Sequence, residues 1–135
     1  MRRSPEEEAG RWLRQAEDDL KWARHLLKEG AYHLTCFLSQ QGAEKALKAF
    51  LFFCGEEQVR GHSVLELCKR VVVHAPDLSA RCQEWKALDL YYIPTRYPDG
   101  IPAGIPAEAF PPGKAKEALE LAEEALVTLR RLMED

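Results

Sequence analysis

Leu13, Ala16, Leu20, Ala23 and Leu27 recur at alternating steps of three and four, which places them on one stripe of a helix. Ser4-Pro5-Glu6-Glu7 supplies a capping hydroxyl, a proline at the first helical position and a glutamate three residues after the serine. That combination predicts the helix start, and Gly30 marks its end. A second helix is predicted from about Ala31 to Cys54, with Cys36, Leu47, Phe50, Leu51 and Cys54 as its apolar positions and Gly55 as its stop. Two long helices joined at a glycine read as an antiparallel hairpin.

Beyond Gly61-His62-Ser63, a shorter helix carries Val64, Leu65, Leu67, Cys68, Val71 and Val72 and is closed by Pro76. Asp77 is placed to cap a fourth helix holding Leu78, Cys82, Trp85, Leu88 and Leu90, which Ile93-Pro94 ends. From Pro94 to Gly113 the chain holds six prolines and three glycines. This composition predicts a long, partly mobile loop with neither helix nor strand, the first place to look for a site. A last helix from Lys114 packs Ala118, Ala122, Ala125, Leu126, Leu129 and Leu132, with Arg130 and Arg131 near its end, where the macrodipole favours cations. Strand alternation is not sustained anywhere, so the expectation is an all-α bundle.

The length of 135 residues makes that bundle one domain over residues 1–135. A net charge of -3 is drawn from interspersed opposite charges, so the molecule lacks a general basic field and any nucleic-acid contact must be local. The opening Met1-Arg2-Arg3-Ser4-Pro5-Glu6-Glu7-Glu8 turns acidic where a secretory leader needs an apolar run, and a cytoplasmic protein away from membranes is expected. Cys36, Cys54, Cys68 and Cys82 form no C-x-x-C pair, which reads as buried free thiols with no metal site. Asn is absent while Glu, Arg and Leu abound, a bias in keeping with a thermophilic source.

Two clusters could carry chemistry. In Gln40-Gln41-Gly42-Ala43-Glu44-Lys45-Ala46-Leu47-Lys48, helical spacing puts Gln41, Glu44, Lys45 and Lys48 on neighbouring positions of one face, with Gln40 a turn behind Glu44. They form either a solvated stripe of ion pairs or a compact set of donors and acceptors facing something polar. In Asp89-Leu90-Tyr91-Tyr92-Ile93-Pro94-Thr95-Arg96-Tyr97-Pro98-Asp99, an arginine set among tyrosines and prolines can serve as a planar phosphate ligand with rings to stack on a base. The structural alternative has Arg96 bridging Asp99, Asp89 or Glu44.

These segments, with Ala16-x-x-Asp19-Leu20-x-x-Ala23-x-x-Leu26-Leu27 before them and His62-Ser63-Val64-x-x-Leu67 between them, resemble the HEPN domain across about residues 9–132. The resemblance implies an up-and-down bundle of four long helices with one additional short helix, a homodimer, and a groove associated with nucleotides or RNA. It also implies a minimal nucleotidyltransferase as partner in a toxin–antitoxin-like system. The site residues carried by the two views together are Gln41, Glu44, Lys45, Lys48, His62, Tyr92, Arg96, Tyr97 and Asp99, with neither metal nor cofactor.

Ribonuclease members of that family resemble one another in an Arg-x(4–6)-His motif, in which the histidine suits proton transfer and the arginine holds the scissile phosphate. Here Arg96 is followed by Tyr97-Pro98-Asp99-Gly100-Ile101-Pro102-Ala103, and no histidine occurs after His74. Arg70-Val71-Val72-Val73-His74 is one residue short and lies in the third helix, so it is read as coincidence. His25, His33 and His74 read as surface or capping residues. His62 stands at a glycine-marked helix start and either organises the turn or joins the groove. The expectation is therefore a non-catalytic binding module, the alternative being a metal-independent ribonuclease that uses Arg96 with His62. No phosphate loop, dinucleotide fingerprint, zinc-protease motif or nucleophile elbow is present.

Overall fold

The computed structural model describes residues 3–134. Its α-helices are α1 (Pro5–Lys28), α2 (Tyr32–Phe53), α3 (Val64–His74), α4 (Ser79–Trp85), α5 (Pro106–Ala109) and α6 (Pro112–Met133), and no strand is present among the described residues. The chain is the all-α, up-and-down bundle expected. α2 is its central helix, packed against α1, α6 and α3.

The start of α1 is the capping box read from the sequence: Glu7 N donates to Ser4 Oγ at 3.1 Å and Ser4 N to Glu7 Oε1 at 3.2 Å. Gly30 turns the chain with φ of +80°, a backbone state that side chains disfavour. α2 then returns antiparallel along α1, tied by Thr35 Oγ1 to the Ala23 carbonyl at 3.2 Å. The close approach of the two helices depends on Gly42, where an added Cβ would stand 2.5 Å from Leu20 Cδ2. α6 runs antiparallel to α1, with Arg24–Glu123 at 3.2 Å and Glu17–Arg130 at 3.0 Å.

Burial follows the apolar stripes. Ala16, Leu20, Ala23, Cys36, Leu47, Leu51, Leu67, Val71, Trp85, Leu88, Ala122 and Leu129 form one core. The four cysteines are free; Cys36, Cys68 and Cys82 are buried and Cys54 half-buried. Burial pushes the Cys36 thiol up to about 12, leaving it protonated and unreactive at neutral pH.

The fourth helix departs from the expectation. Asp77 lies inside a 3-10 turn (Pro76–Leu78) instead of capping, and α4 gives way after Trp85 to a 3-10 stretch, Lys86–Tyr91. At three residues per turn, Trp85, Leu88 and Tyr91 stack on the inner side. Leu90, predicted to pack inward, is therefore turned out and is 69% exposed. Leu132, at the end of α6, is likewise exposed.

The segment 94–113 is also not the featureless loop expected. It contains a 3-10 turn (Pro98–Gly100) and α5, each begun by a proline at a position where the missing N–H costs nothing. Pro106 is buried, and Phe110 meets the Tyr91 ring edge-on at 6.0 Å. None of the described helices is long and apolar enough to cross a membrane.

Candidate functional site

The polar face of α2 is not a solvated stripe. Glu44 is 2% and Lys48 5% exposed, and Lys48 Nζ lies 3.2 Å from Glu44 Oε2 one turn back. Such a buried pair persists only when each charge keeps its partners. Glu44 Oε1 also accepts from Gln41 Nε2 at 3.4 Å and faces His62 Nδ1 at the same distance, while Lys48 Nζ sits 5.2 Å over the Trp12 ring. Gln40, fully buried, accepts from Gln41 Nε2 at 2.8 Å and donates to the His62 carbonyl at 2.8 Å. The glutamines of α2 thus fix the segment that leads into α3.

His62 is held on one side and open on the other. Its ring stacks on Tyr92 at 5.2 Å with 15° between planes, and its side chain is 61% exposed. Tyr92 in turn contacts Arg96, whose guanidinium carbon is 4.5 Å from the Tyr92 ring centre, 4.7 Å from Phe37 and 5.2 Å from Tyr97. Arg96 Nε donates to the Tyr92 carbonyl at 2.8 Å, and Thr95 Oγ1 secures the same turn on the Tyr91 carbonyl at 2.6 Å. The anticipated carboxylate bridge is absent: among the described residues Arg96 forms no ion pair with Asp99, Asp89 or Glu44.

Asp89 is engaged elsewhere. Its carboxylate accepts from Ser63 Oγ at 2.8 Å, Val64 N at 2.6 Å and Leu65 N at 3.0 Å, and so caps α3 from outside the helix. That cap ties the His62 corner to the chain that carries Tyr92 and Arg96.

Of the residues expected, Gln41, Glu44, Lys48, His62, Tyr92, Arg96 and Tyr97 form one contiguous chain of contacts linking the α2 face to the tyrosine–arginine corner. Lys45 leaves it, pairing with the nearly buried Asp19 of α1 at 2.6 Å, because its position on α2 faces the neighbouring helix. Asp99 stands exposed on the 3-10 turn after Tyr97 and joins no ion pair among the described residues. Sequence reasoning missed Phe37 as the third ring around Arg96 and Asp89 as a helix cap. The first stands in the apolar pattern of α2, and the second lacked a signal because its partners lie 24 to 26 residues away.

Arg70 and His74, the shortened Arg–His pair, both grip Glu56, His74 Nε2 at 2.8 Å, so their spacing serves a structural clamp. His33 is half-buried rather than on the surface; its Nδ1 has no partner among the described residues, and burial lowers its pKa. No cluster of metal-ligating side chains occurs among the described residues.

A family model described as "HEPN domain" matches residues 9–132. The crystal structure of TT1696 from Thermus thermophilus is similar, with 38% identity, 92% of this chain and 97% of that one covered, and a TM-score of 0.82. That of ST0689, described as an archaeal HEPN homologue, is 36% identical over 99% of this chain and 100% of its own, with a TM-score of 0.76. No curated protein matches the chain.

Proposed function

The chain belongs to the HEPN domain family, and from that premise we propose that its polar cluster binds a nucleotide or RNA through phosphate without cutting it. One observation carries the reading. Arg96 is held flat among Phe37, Tyr92 and Tyr97, its Nε is spent on a backbone carbonyl, and no carboxylate neutralises it among the described residues. The terminal nitrogens of a guanidinium fixed in this way are a preorganised fork for a phosphate, and the exposed Tyr97 ring and His62 imidazole offer faces for a base.

Titration calorimetry with nucleoside phosphates and short RNAs checks it. Arg96→Ala is expected to weaken binding at least about tenfold, since a charged hydrogen bond contributes about 1.5–3 kcal/mol. Arg96→Lys should not restore it, because an ammonium lacks the planar fork. Wild-type protein that binds none of these ligands at millimolar concentration ends the proposal.

The same reading makes the protein a homodimer and the non-catalytic companion of a minimal nucleotidyltransferase in a toxin–antitoxin-like pair. A chain that purifies from its source alone and as a monomer would end that part.

A second reading is favoured by one specific contact. Glu44 Oε1 faces His62 Nδ1 from a buried position while the imidazole stays open to solvent, an arrangement that orients a general base. With Arg96 on the phosphate, the pair would cut RNA without metal. This requires cleavage that persists in chelator and is lost in His62→Ala; RNA left whole by the wild type, or cut equally by the variant, removes it.

A further inference from the structure

The polar cluster does not stop at Lys48. On the other side of that ammonium lies the Trp12 ring, 5.2 Å away, and Trp12 floors an open groove of about 560 Å³ whose remaining walls are Glu8, Arg11, Arg14, Gln15 and Lys45. Phe52 stacks behind the indole at 5.8 Å and holds it in place. Besides Lys48, three cations thus line the groove that contains this ring, in a chain whose net charge is -3. Two of them are steadied by acids: Arg11 by Glu8 at 2.8 Å and Lys45 by Asp19 at 2.6 Å. Arg14 has no ion pair among the described residues.

We infer that this α1 groove is a second phosphate subsite, joined to the first inside the protein by the Trp12–Lys48–Glu44 contacts, and that the ligand spanning both across the surface is a single strand of RNA several nucleotides long. The inference rests on the reading of Arg96 as a phosphate ligand and adds the ligand's class and course. A mononucleotide would have no use for cations on the far side of Lys48. Protein folds that hold single strands combine cations along the backbone with an aromatic platform, and this groove has both. Its effect is local, which is what an acidic protein requires of a strand-binding surface.

The length dependence of binding tests it. Labelled oligouridylates and uridine monophosphate are titrated into the full chain by fluorescence anisotropy and competition, over a range of salt. An octanucleotide is expected to bind about tenfold tighter than a dinucleotide, because it reaches both subsites. In Arg11→Ala/Arg14→Ala that gain disappears, the slope of log affinity against log salt falls by about 1.4, at about 0.7 for each phosphate lost from a single strand, and monophosphate binding is unchanged. Glu8→Gln, which releases Arg11 from its carboxylate, moves octanucleotide affinity the other way and so separates a ligand contact from damage to the fold. Equal affinity for dinucleotide and octanucleotide overturns the inference while leaving the Arg96 reading intact. So does a double variant that binds the octanucleotide as the wild type does. Monophosphate binding that falls equally in the double variant overturns the separation of the two subsites. If the wild type binds none of these ligands, the Arg96 reading falls and this inference falls with it.

Discussion

Glu44→Ala is expected to lower the unfolding free energy by about 3–5 kcal/mol, the range found when one member of a buried ion pair is removed and the other is left behind. Lys48 would be the stranded charge. Its side chain is 7% exposed, its Nζ is 3.2 Å from the Glu44 carboxylate, and the other group over it is the Trp12 ring. Cation–π attraction of about 0.5–2 kcal/mol does not offset a buried ammonium without a counter-ion. The companion variant Glu44→Leu/Lys48→Met removes both charges at similar volume and is expected to regain most of the loss. Urea denaturation of wild type and of both variants measures the two changes. A single variant that loses less than about 1 kcal/mol would mean that Lys48 reaches water by a small rearrangement, and that the α2 network is held less tightly than its burial implies. The double variant also deprives His62 Nδ1 of its partner, so weakened ligand affinity in a protein of restored stability would locate the network's importance in function instead of in the fold.

How much of this could be read beforehand depended on whether the signal was local. The capping box at Ser4, the Gly30 corner and the apolar stripes of α1, α2 and α6 are patterns within a few turns of helix, and each appears where the pattern put it, the exposed Leu132 at the end of α6 apart. Spacing alone also put Gln41, Glu44 and Lys48 together, but it could not say whether their face met water or protein. That was decided by other elements: the His62 ring on the chain entering α3 faces Glu44, and Trp12 of α1 lies over Lys48. Lys45 reads as a member of the same face, yet its partner Asp19 lies on another helix, and an interhelical choice of this kind leaves no trace in one helix's periodicity. The α4 register failed for a related reason. A stretch that tightens to three residues per turn keeps its apolar content while rotating Leu90 outward, and composition does not report that rotation. Arg11 and Arg14 sit on the polar side of α1, where cations are ordinary, and they gain meaning only from sharing a groove with Trp12.

Asp89→Ala is expected to cost about 2–3 kcal/mol, somewhat more than an ordinary cap, because one carboxylate satisfies three donors at once. The Ser63 hydroxyl and the Val64 and Leu65 amides belong to the first turn of α3, where no carbonyl within the helix can take their place. Ser63 Oγ also accepts from Glu66 N at 3.1 Å, so the variant keeps half of the cap and α3 should shorten at its start instead of melting. Amide hydrogen exchange reads this directly: Val64 and Leu65 exchange faster in the variant, while Val71, in the core, changes only with global stability. The consequence for function follows from connectivity. His62 immediately precedes the capped turn, and Tyr92 lies three residues after Asp89, so the carboxylate acts with Gln40 and Glu44 in holding the imidazole and the tyrosine ring stacked at 5.2 Å. Nucleotide affinity should therefore fall in Asp89→Ala although Asp89 touches no ligand in this reading, and Asp89→Asn, which retains one acceptor, should fall between variant and wild type. Protein that loses stability as stated but binds with undiminished affinity at low temperature would show that the stacked pair is not part of the site, and would leave Arg96 and its three rings to bind the phosphate without it.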